Sequence, residues 1–358
     1  MKVRSALFGL ATITVLYLGL LVWLDSRNGV FARLPALAIV LPVLMGLSLI
    51  SYGIRFVRWS WLMRRAGSAV PAKAGFLAYL SGFALTATPG KVGELMRIRY
   101  FARLRIPPAL VLSAFIYERA FDLVVVLIFA TASVTRADVL LTCYAGVAAV
   151  LVSLGLVARY PSCLVLAAAL ARRRGAFRIA RILYTLAEGI RTCRRWLTAT
   201  DLAISTVCGL VAWAITSAAF MFLLHALAIS VPAPAAFAMY PLAMLAGAFS
   251  MIPGGLGSTE ATIVVLLTQS GTSWDIATLA AVGIRFATMW FAVVCGLVAI
   301  AMLETWPREF SLLPIAEDSG IETIPRLASQ APALEEGERV PGNAEVSQAL
   351  GGRSGRNA

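Results

Sequence analysis

Residues 250–261 read SMIPGGLGSTEA. They halt two strongly apolar runs with a proline and three glycines, then place a glutamate, Glu260, at the head of the next run. A near copy, TATPGKVGELMR, occupies residues 86–97. Both follow Pro-Gly-x-x-Gly and then a glutamate. The first uses Pro89, Gly90, Gly93 and Glu94; the second uses Pro253, Gly254, Gly257 and Glu260, with Gly255 as an added glycine. In a soluble chain such a pattern is a surface turn. Its meaning here depends on where a bilayer lies.

The 358 residues are 60% hydrophobic and 14% charged, with a mean hydropathy of +0.84. That excludes an ordinary soluble domain and implies several membrane spans. The net charge of +13 is uneven: residues 304–358 hold 5 basic and 9 acidic residues, so the body carries the whole excess. A basic excess in a membrane protein reports topology and anionic lipid, and no nucleic-acid partner is expected. Cys143, Cys163, Cys193, Cys208 and Cys295 are scattered, with a single histidine, His225. No metal site, disulfide framework or cofactor motif follows from them.

A span needs about 20 apolar residues. Six runs qualify: 5–24, 35–54, 109–134, 139–158, 203–227 and 276–303. Two shorter runs, 74–88 and 236–252, stop at the Pro-Gly breaks and resume as 91–105 and 259–270. The Lys/Arg distribution decides how these cross. Lys2 and Arg4 place the N-terminus inside, as do Arg55, Arg58, Arg64, Arg65 and Lys73 for the following loop. If 74–88 crossed fully, Lys91, Arg97, Arg99, Arg103 and Arg105 would lie outside. If it dips in, turns at Pro89 and returns, they stay inside. The nine arginines of 159–195 then fall inside, 236–270 dips in from outside, and the C-terminal tail is inside. Trp23, Trp59, Trp61, Trp196, Trp274 and Trp306 fit as interface anchors.

The expected fold is an all-α polytopic membrane protein with six spanning helices and two re-entrant hairpins in an inverted-topology repeat. The halves are about 1–134 and 139–303, with a basic amphipathic segment on the inner surface within 159–200. Residues 304–358 are expected to be a disordered tail. Backbone unwound in hydrocarbon is tolerated only where protein buries it or a polar cavity borders it. Inverted repeats with broken helices are a transporter design.

Charges strengthen that expectation. Glu94 and Arg119 are 25 positions apart, as are Glu260 and Arg285. Each arginine lies nine or ten residues into its helix, about 15 Å deep at ~1.5 Å per residue. Glu118 and Asp122 share a face beside Arg119. An unpaired charge there costs at least about 2.5–3.5 kcal/mol, so pairing is expected. The Glu94–Arg119 and Glu260–Arg285 pairs serve either to stitch hairpins to helices or to hold a lipid head group; the two roles are compatible. Arg97 and Lys91 are further candidates near the inner mouth. No nucleophile–base constellation is present, so no catalytic residue is assigned.

The pieces Pro89-Gly90-x-x-Gly93-Glu94-x-x-Arg97, Glu118-Arg119-x-x-Asp122, Pro253-Gly254-Gly255-x-Gly257 and Glu260 resemble the lysylphosphatidylglycerol synthase transmembrane region, also called the flippase-like family. The resemblance covers roughly residues 5–303. It implies movement of a polar-headed, anionic or phosphate-bearing lipid between the leaflets of a bacterial inner membrane. Two-domain relatives add a soluble aminoacyl-transferring domain; here a 55-residue tail follows, so that chemistry is not expected. A second reading is a non-transporting partner of a lipid-biosynthetic enzyme, and a third, weaker one is a membrane enzyme on a lipid-linked substrate.

The topology makes a direct prediction. Arg64→Cys and Arg99→Cys should react with a membrane-impermeant maleimide from the same face. Labelling of position 99 from the opposite face removes the inverted arrangement.

Overall fold

The computed structural model describes residues 37–131, 137–160 and 162–305. The expected span at 5–24, Trp23, Trp306 and the tail from 306 onward lie outside the described residues. Those described are helical, with no strand among them.

Helix α1 (Val40–Arg65) runs eleven residues past the expected end at 54. The sequence pattern explains this. Leu44, Ser48, Ser51, Tyr52, Arg58, Trp59, Leu62 and Met63 are buried, at spacings of three and four that define one helical face. Arg58 belongs to that stripe, so the charge does not end the helix. Gly67, at φ 82°, follows the helix terminus in the left-handed region that glycine adopts freely. Arg55 and Arg58, expected as loop charges that set topology, are therefore mid-helix side chains.

The first hairpin is α2 (Ala72–Ser81) with a 3-10 extension (Gly82–Leu85), a break, a 3-10 helix (Pro89–Met96) and α3 (Arg97–Arg103). Helix α4 (Pro108–Thr131), α5 (Ala137–Arg159), α6 (Ser162–Arg173) and α7 (Phe177–Cys193) follow. Helix α8 (Ala199–Ala226) starts at Thr198, whose Oγ1 accepts the Asp201 N–H at 3.3 Å. The second hairpin is α9 (Ala233–Phe249), a 3-10 turn (Pro253–Gly255) and α10 (Ser258–Gln269). Helix α11 (Trp274–Arg285) continues through a π-helical turn (Phe286–Trp290) into α12 (Phe291–Thr305).

Three of these are long and apolar enough to cross a membrane: Val40–Arg65, Ala199–Ala226 and Trp274–Thr305. Helix α4, with 24 residues, has the length but carries Glu118, Arg119 and Asp122 in its middle. Helix α1 packs along α8, α4 lies against α9 and α7, and the first hairpin packs on α12. The two breaks touch each other: a Cβ built on Gly254 would sit 3.1 Å from Ala87 Cα.

Two tryptophans expected at the interface are core residues instead. Trp59 and Trp196 are buried, the former stacked on Phe101 with centroids 4.2 Å apart, the latter donating its indole N–H to Leu62 O at 3.0 Å. Trp61 donates to Asp201 at 2.9 Å, and Trp274 is exposed. The basic segment is a helical pair. Helix α7 buries Ala180, Ala187 and Ile190, while Phe177, Ile179 and Ile182 are exposed beside its arginines. At its other end the fold is tied by Glu304, which accepts from Arg103 at 2.8 Å and Tyr100 at 3.1 Å.

Gly296 of α12 lies directly against the backbone of Ala84, with no room for a Cβ. Because the neighbour is backbone, it cannot rotate away. Gly296→Leu is expected to cost at least ~2 kcal/mol by overpacking and to lower the melting temperature in detergent. An unchanged melting curve would mean the hairpin is not held this way.

Candidate functional site

The two breaks are built differently, for local reasons. In the second, Gly254, Gly255 and Gly257 all have positive φ (63°, 64° and 82°), a conformation that side-chain-bearing residues resist. In the first, Gly93 is needed because the Leu85 carbonyl occupies the space a Cβ would take. The positive-φ residue there is Lys91, at 56°.

Buried backbone must find partners. Thr88 supplies them in the first break: its hydroxyl donates to Leu85 O at 2.9 Å and accepts the Gly93 N–H at 2.7 Å. Arg285 does so in the second, with NH2 donating to Gly254 O at 2.6 Å. Glu260 ties the start of α10 to α11. One oxygen accepts Arg285 Nε at 2.9 Å and the other accepts the Gly257 N–H at 2.8 Å. The pair inferred from the 25-residue spacing thus exists in the second half.

In the first half the pairing differs. Glu94 accepts from Arg97 NH2 at 2.7 Å and from Thr86 Oγ1 at 3.0 Å, and its ion pair is with Arg97, not Arg119. The 3-10 geometry accounts for it, since residues i and i+3 share one face. Arg97 is wholly buried and lies over the Tyr79 ring at 4.8 Å. It is a structural cation rather than a group waiting at an inner mouth.

Arg119 turns instead to its own helix, with NH2 3.3 Å from Asp122 Oδ2 and 3.5 Å from Glu118 Oε1. Asp122 also accepts Arg55 NH1 at 2.7 Å and Arg58 NH2 at 3.0 Å. Glu118 accepts from Tyr79 at 2.7 Å and lies 3.2 Å from Arg58. Arg55, Arg58, Tyr79 and Thr86 complete this network, and sequence reasoning did not place them in it; Lys91, a candidate from the sequence, borders it without an ion pair among the described residues. The signal for Arg55 and Arg58 was the apolar stripe continuing past them.

Two adjoining cavities border the network. A polar chamber of about 110 Å³ is lined by Arg55, Lys91, Glu94, Arg119, Asp122 and Arg285, among others. A larger, mostly apolar cleft of about 350 Å³ is lined by Leu123, Val126, Val150, Leu245, Met251 and Ile252. Lys91, Arg119, Asp122, Trp213, Met244 and Gly254 line both. Met251 and Ile252 are exposed, so the cleft reaches the surface. Lys91 forms no ion pair among the described residues, and Arg119 Nε has no hydrogen-bond partner. No group of three or more His, Cys, Asp or Glu side chains among the described residues could hold a metal ion.

Residues 6–296 match the family described as the lysylphosphatidylglycerol synthase TM region. The chain belongs to this family. A comparison with curated proteins finds no match. In this member of the lysylphosphatidylglycerol synthase TM family, both glycine breaks and the α4 charges lie within the matched region, and so do Arg55, Arg58 and Lys91.

Asp122 has three arginines around one buried carboxylate. Neutralising it leaves those cations without their shared partner, at a cost of about 3 kcal/mol or more. Asp122→Asn is expected to lower the melting temperature of the purified protein clearly, while Arg64→Gln at an exposed position leaves it unchanged. Equal curves would show that the cluster does not hold the fold together.

Proposed function

We propose that this protein is a non-enzymatic, flippase-like lipid transporter that binds a polar-headed lipid and carries its head group past the bilayer midplane. The observation that carries this reading is the pair of cavities. A small charged chamber and a larger apolar cleft share six residues. That is the shape of an amphiphile: a head group in the chamber, acyl chains in the cleft and through its open side into the bilayer. The head group is anionic or phosphate-bearing. Lys91 and Arg119, at the boundary of the two cavities and with donors to spare, meet a phosphate where it joins the hydrophobic part of a lipid.

The remaining elements fit the same reading. The two Pro-Gly breaks act as re-entrant tips of an inverted repeat, entered from opposite faces of a bacterial inner membrane, with both termini on its cytoplasmic side. Glu94, Arg97, Glu118, Asp122, Glu260 and Arg285 then form the scaffold that keeps the tips at depth, and Arg119 acts on the lipid. A second reading, a non-transporting partner of a lipid-biosynthetic enzyme, draws on the α6–α7 pair. There Leu166, Leu170, Phe177, Ile179 and Ile182 are exposed among arginines.

Reconstituted vesicles carrying a fluorescent anionic phospholipid separate the two. Arg119→Gln should slow translocation about tenfold or more while the protein still folds, because the lost contact is charge-assisted. Charge removal at Arg172, Arg173 and Arg174 should leave the rate unchanged. Equal rates for the wild type and Arg119→Gln would defeat the transport reading.

A further inference from the structure

The polar chamber has a second kind of lining that the phosphate contacts leave unused. Seven hydroxyl side chains line it: Ser48, Ser51, Tyr52, Thr86, Thr216, Tyr240 and Thr288. In four of them, Ser51, Tyr52, Thr216 and Thr288, the proton is already committed. Ser51 and Thr216 both donate to the Ala212 carbonyl, at 3.0 and 2.9 Å. Tyr52 donates to the Thr288 carbonyl at 2.6 Å, and Thr288 to the Ile284 carbonyl at 2.7 Å. Tyr240 lies 2.9 Å from Thr288 Oγ1 and therefore supplies the proton of that contact. A hydroxyl oxygen whose proton is engaged has only lone pairs left to offer. Ser51, Thr216 and Thr288 thus present acceptors, and their complement is a ligand group that donates.

These acceptors stand one helical turn from the cations. On α1, Ser51 precedes Arg55 by four residues; on α8, Thr216 follows Trp213, over whose ring Arg55 sits at 5.1 Å. Ser51 and Thr216 are themselves 3.4 Å apart. The two helices therefore run antiparallel here, and both offsets point the same way by about 4.5–6 Å. A phosphate held at the level of the cations places its substituent among the acceptors.

Two common donor groups could fill that place, an ammonium and a hydroxyl. Charge decides between them. Arg55, Lys91, Arg119 and Arg285 line the chamber against Glu94 and Asp122. Both carboxylates are already taken, by Arg97 and Thr86 in one case and by Arg55 and Arg58 in the other. An ammonium would add to a cationic excess in a medium that screens it poorly. Hydroxyls add no charge. Resting on the lipid reading above, we infer that Ser51, Thr216 and Thr288 form a subsite for a neutral polyhydroxylated group, a polyol or a sugar, esterified to the phosphate.

Native mass spectrometry of the full-length protein tests this with lipids of matched chains. Phosphatidylglycerol and phosphatidylinositol are compared with phosphatidic acid, which lacks the substituent, and with phosphatidylethanolamine and lysylphosphatidylglycerol, which carry ammonium groups. Free glycerol 3-phosphate is the soluble control. The two polyol lipids should bind about tenfold or more tightly than phosphatidic acid, at about fivefold per hydrogen bond. The Thr216→Val/Thr288→Val double variant should lose that margin and keep its affinity for phosphatidic acid. Thr216→Ser/Thr288→Ser should keep the margin. Equal binding of phosphatidic acid, a preference for the ammonium lipids, or a margin that survives the valines overturns the subsite and leaves lipid transport standing. Free glycerol 3-phosphate binding as tightly as phosphatidylglycerol overturns the lipid as its source. Failure of every lipid to bind overturns both readings.

Discussion

One carboxylate organises the centre of this molecule. Asp122 sits in the middle of an otherwise apolar helix and is met by Arg55, Arg58 and Arg119. A buried charge so placed is strongly unfavourable alone, and its partners are unfavourable without it. Together they oblige α1 and α4 to lie side by side at a fixed register. Tyr79 and Arg97 reach Glu118, one turn away on α4, and so bring the first hairpin to the same place. The hydrophobic contacts around this cluster are extensive but nondirectional. The ion pairs decide which of many apolar packings is adopted.

The hairpins follow from the same rule applied to backbone. Each break frees N–H and C=O groups, and each is satisfied by a side chain close in sequence or deliberately long: Thr88 in one, Arg285 in the other. Satisfying the backbone in this way leaves the tips free to face a cavity. The charged chamber is the result, lined by Arg55, Lys91, Arg119 and Arg285 together with Glu94 and Asp122. Lys91, with no ion pair among the described residues, and Arg119, whose Nε has no hydrogen-bond partner, are the least committed of these cations.

The breaks and the α4 charges were legible in the sequence because glycine, proline and ionised residues are conspicuous in an apolar chain. The Glu260–Arg285 pair was legible by spacing, and the same spacing misled at Glu94, where a 3-10 turn offered Arg97 a shorter reach. Arg55 and Arg58 were misassigned for a different reason. Hydropathy ends a span at its first charge, whereas burial is decided by the face a residue occupies, and Arg58 shares its face with Trp59 and Leu62. Trp59 and Trp196 were misplaced likewise, since an aromatic beside basic residues reads as an interface anchor until tertiary packing covers it. The hydroxyls of Ser51, Thr216 and Thr288 carried no signal at all, because their meaning depends on which carbonyls take their protons.

The π-helical turn at Phe286–Trp290 has a mechanical consequence. On one side of it, Arg285 grips the tip of the second hairpin. On the other, Gly296 is pressed against the first. A single rod therefore joins the two broken-helix elements, with a wide, loosely wound coil at its midpoint. Displacing either tip must strain that coil or drag the other tip along. Residues 286–290 thus lie on the one covalent path along this rod between the grip on the second tip and the contact with the first.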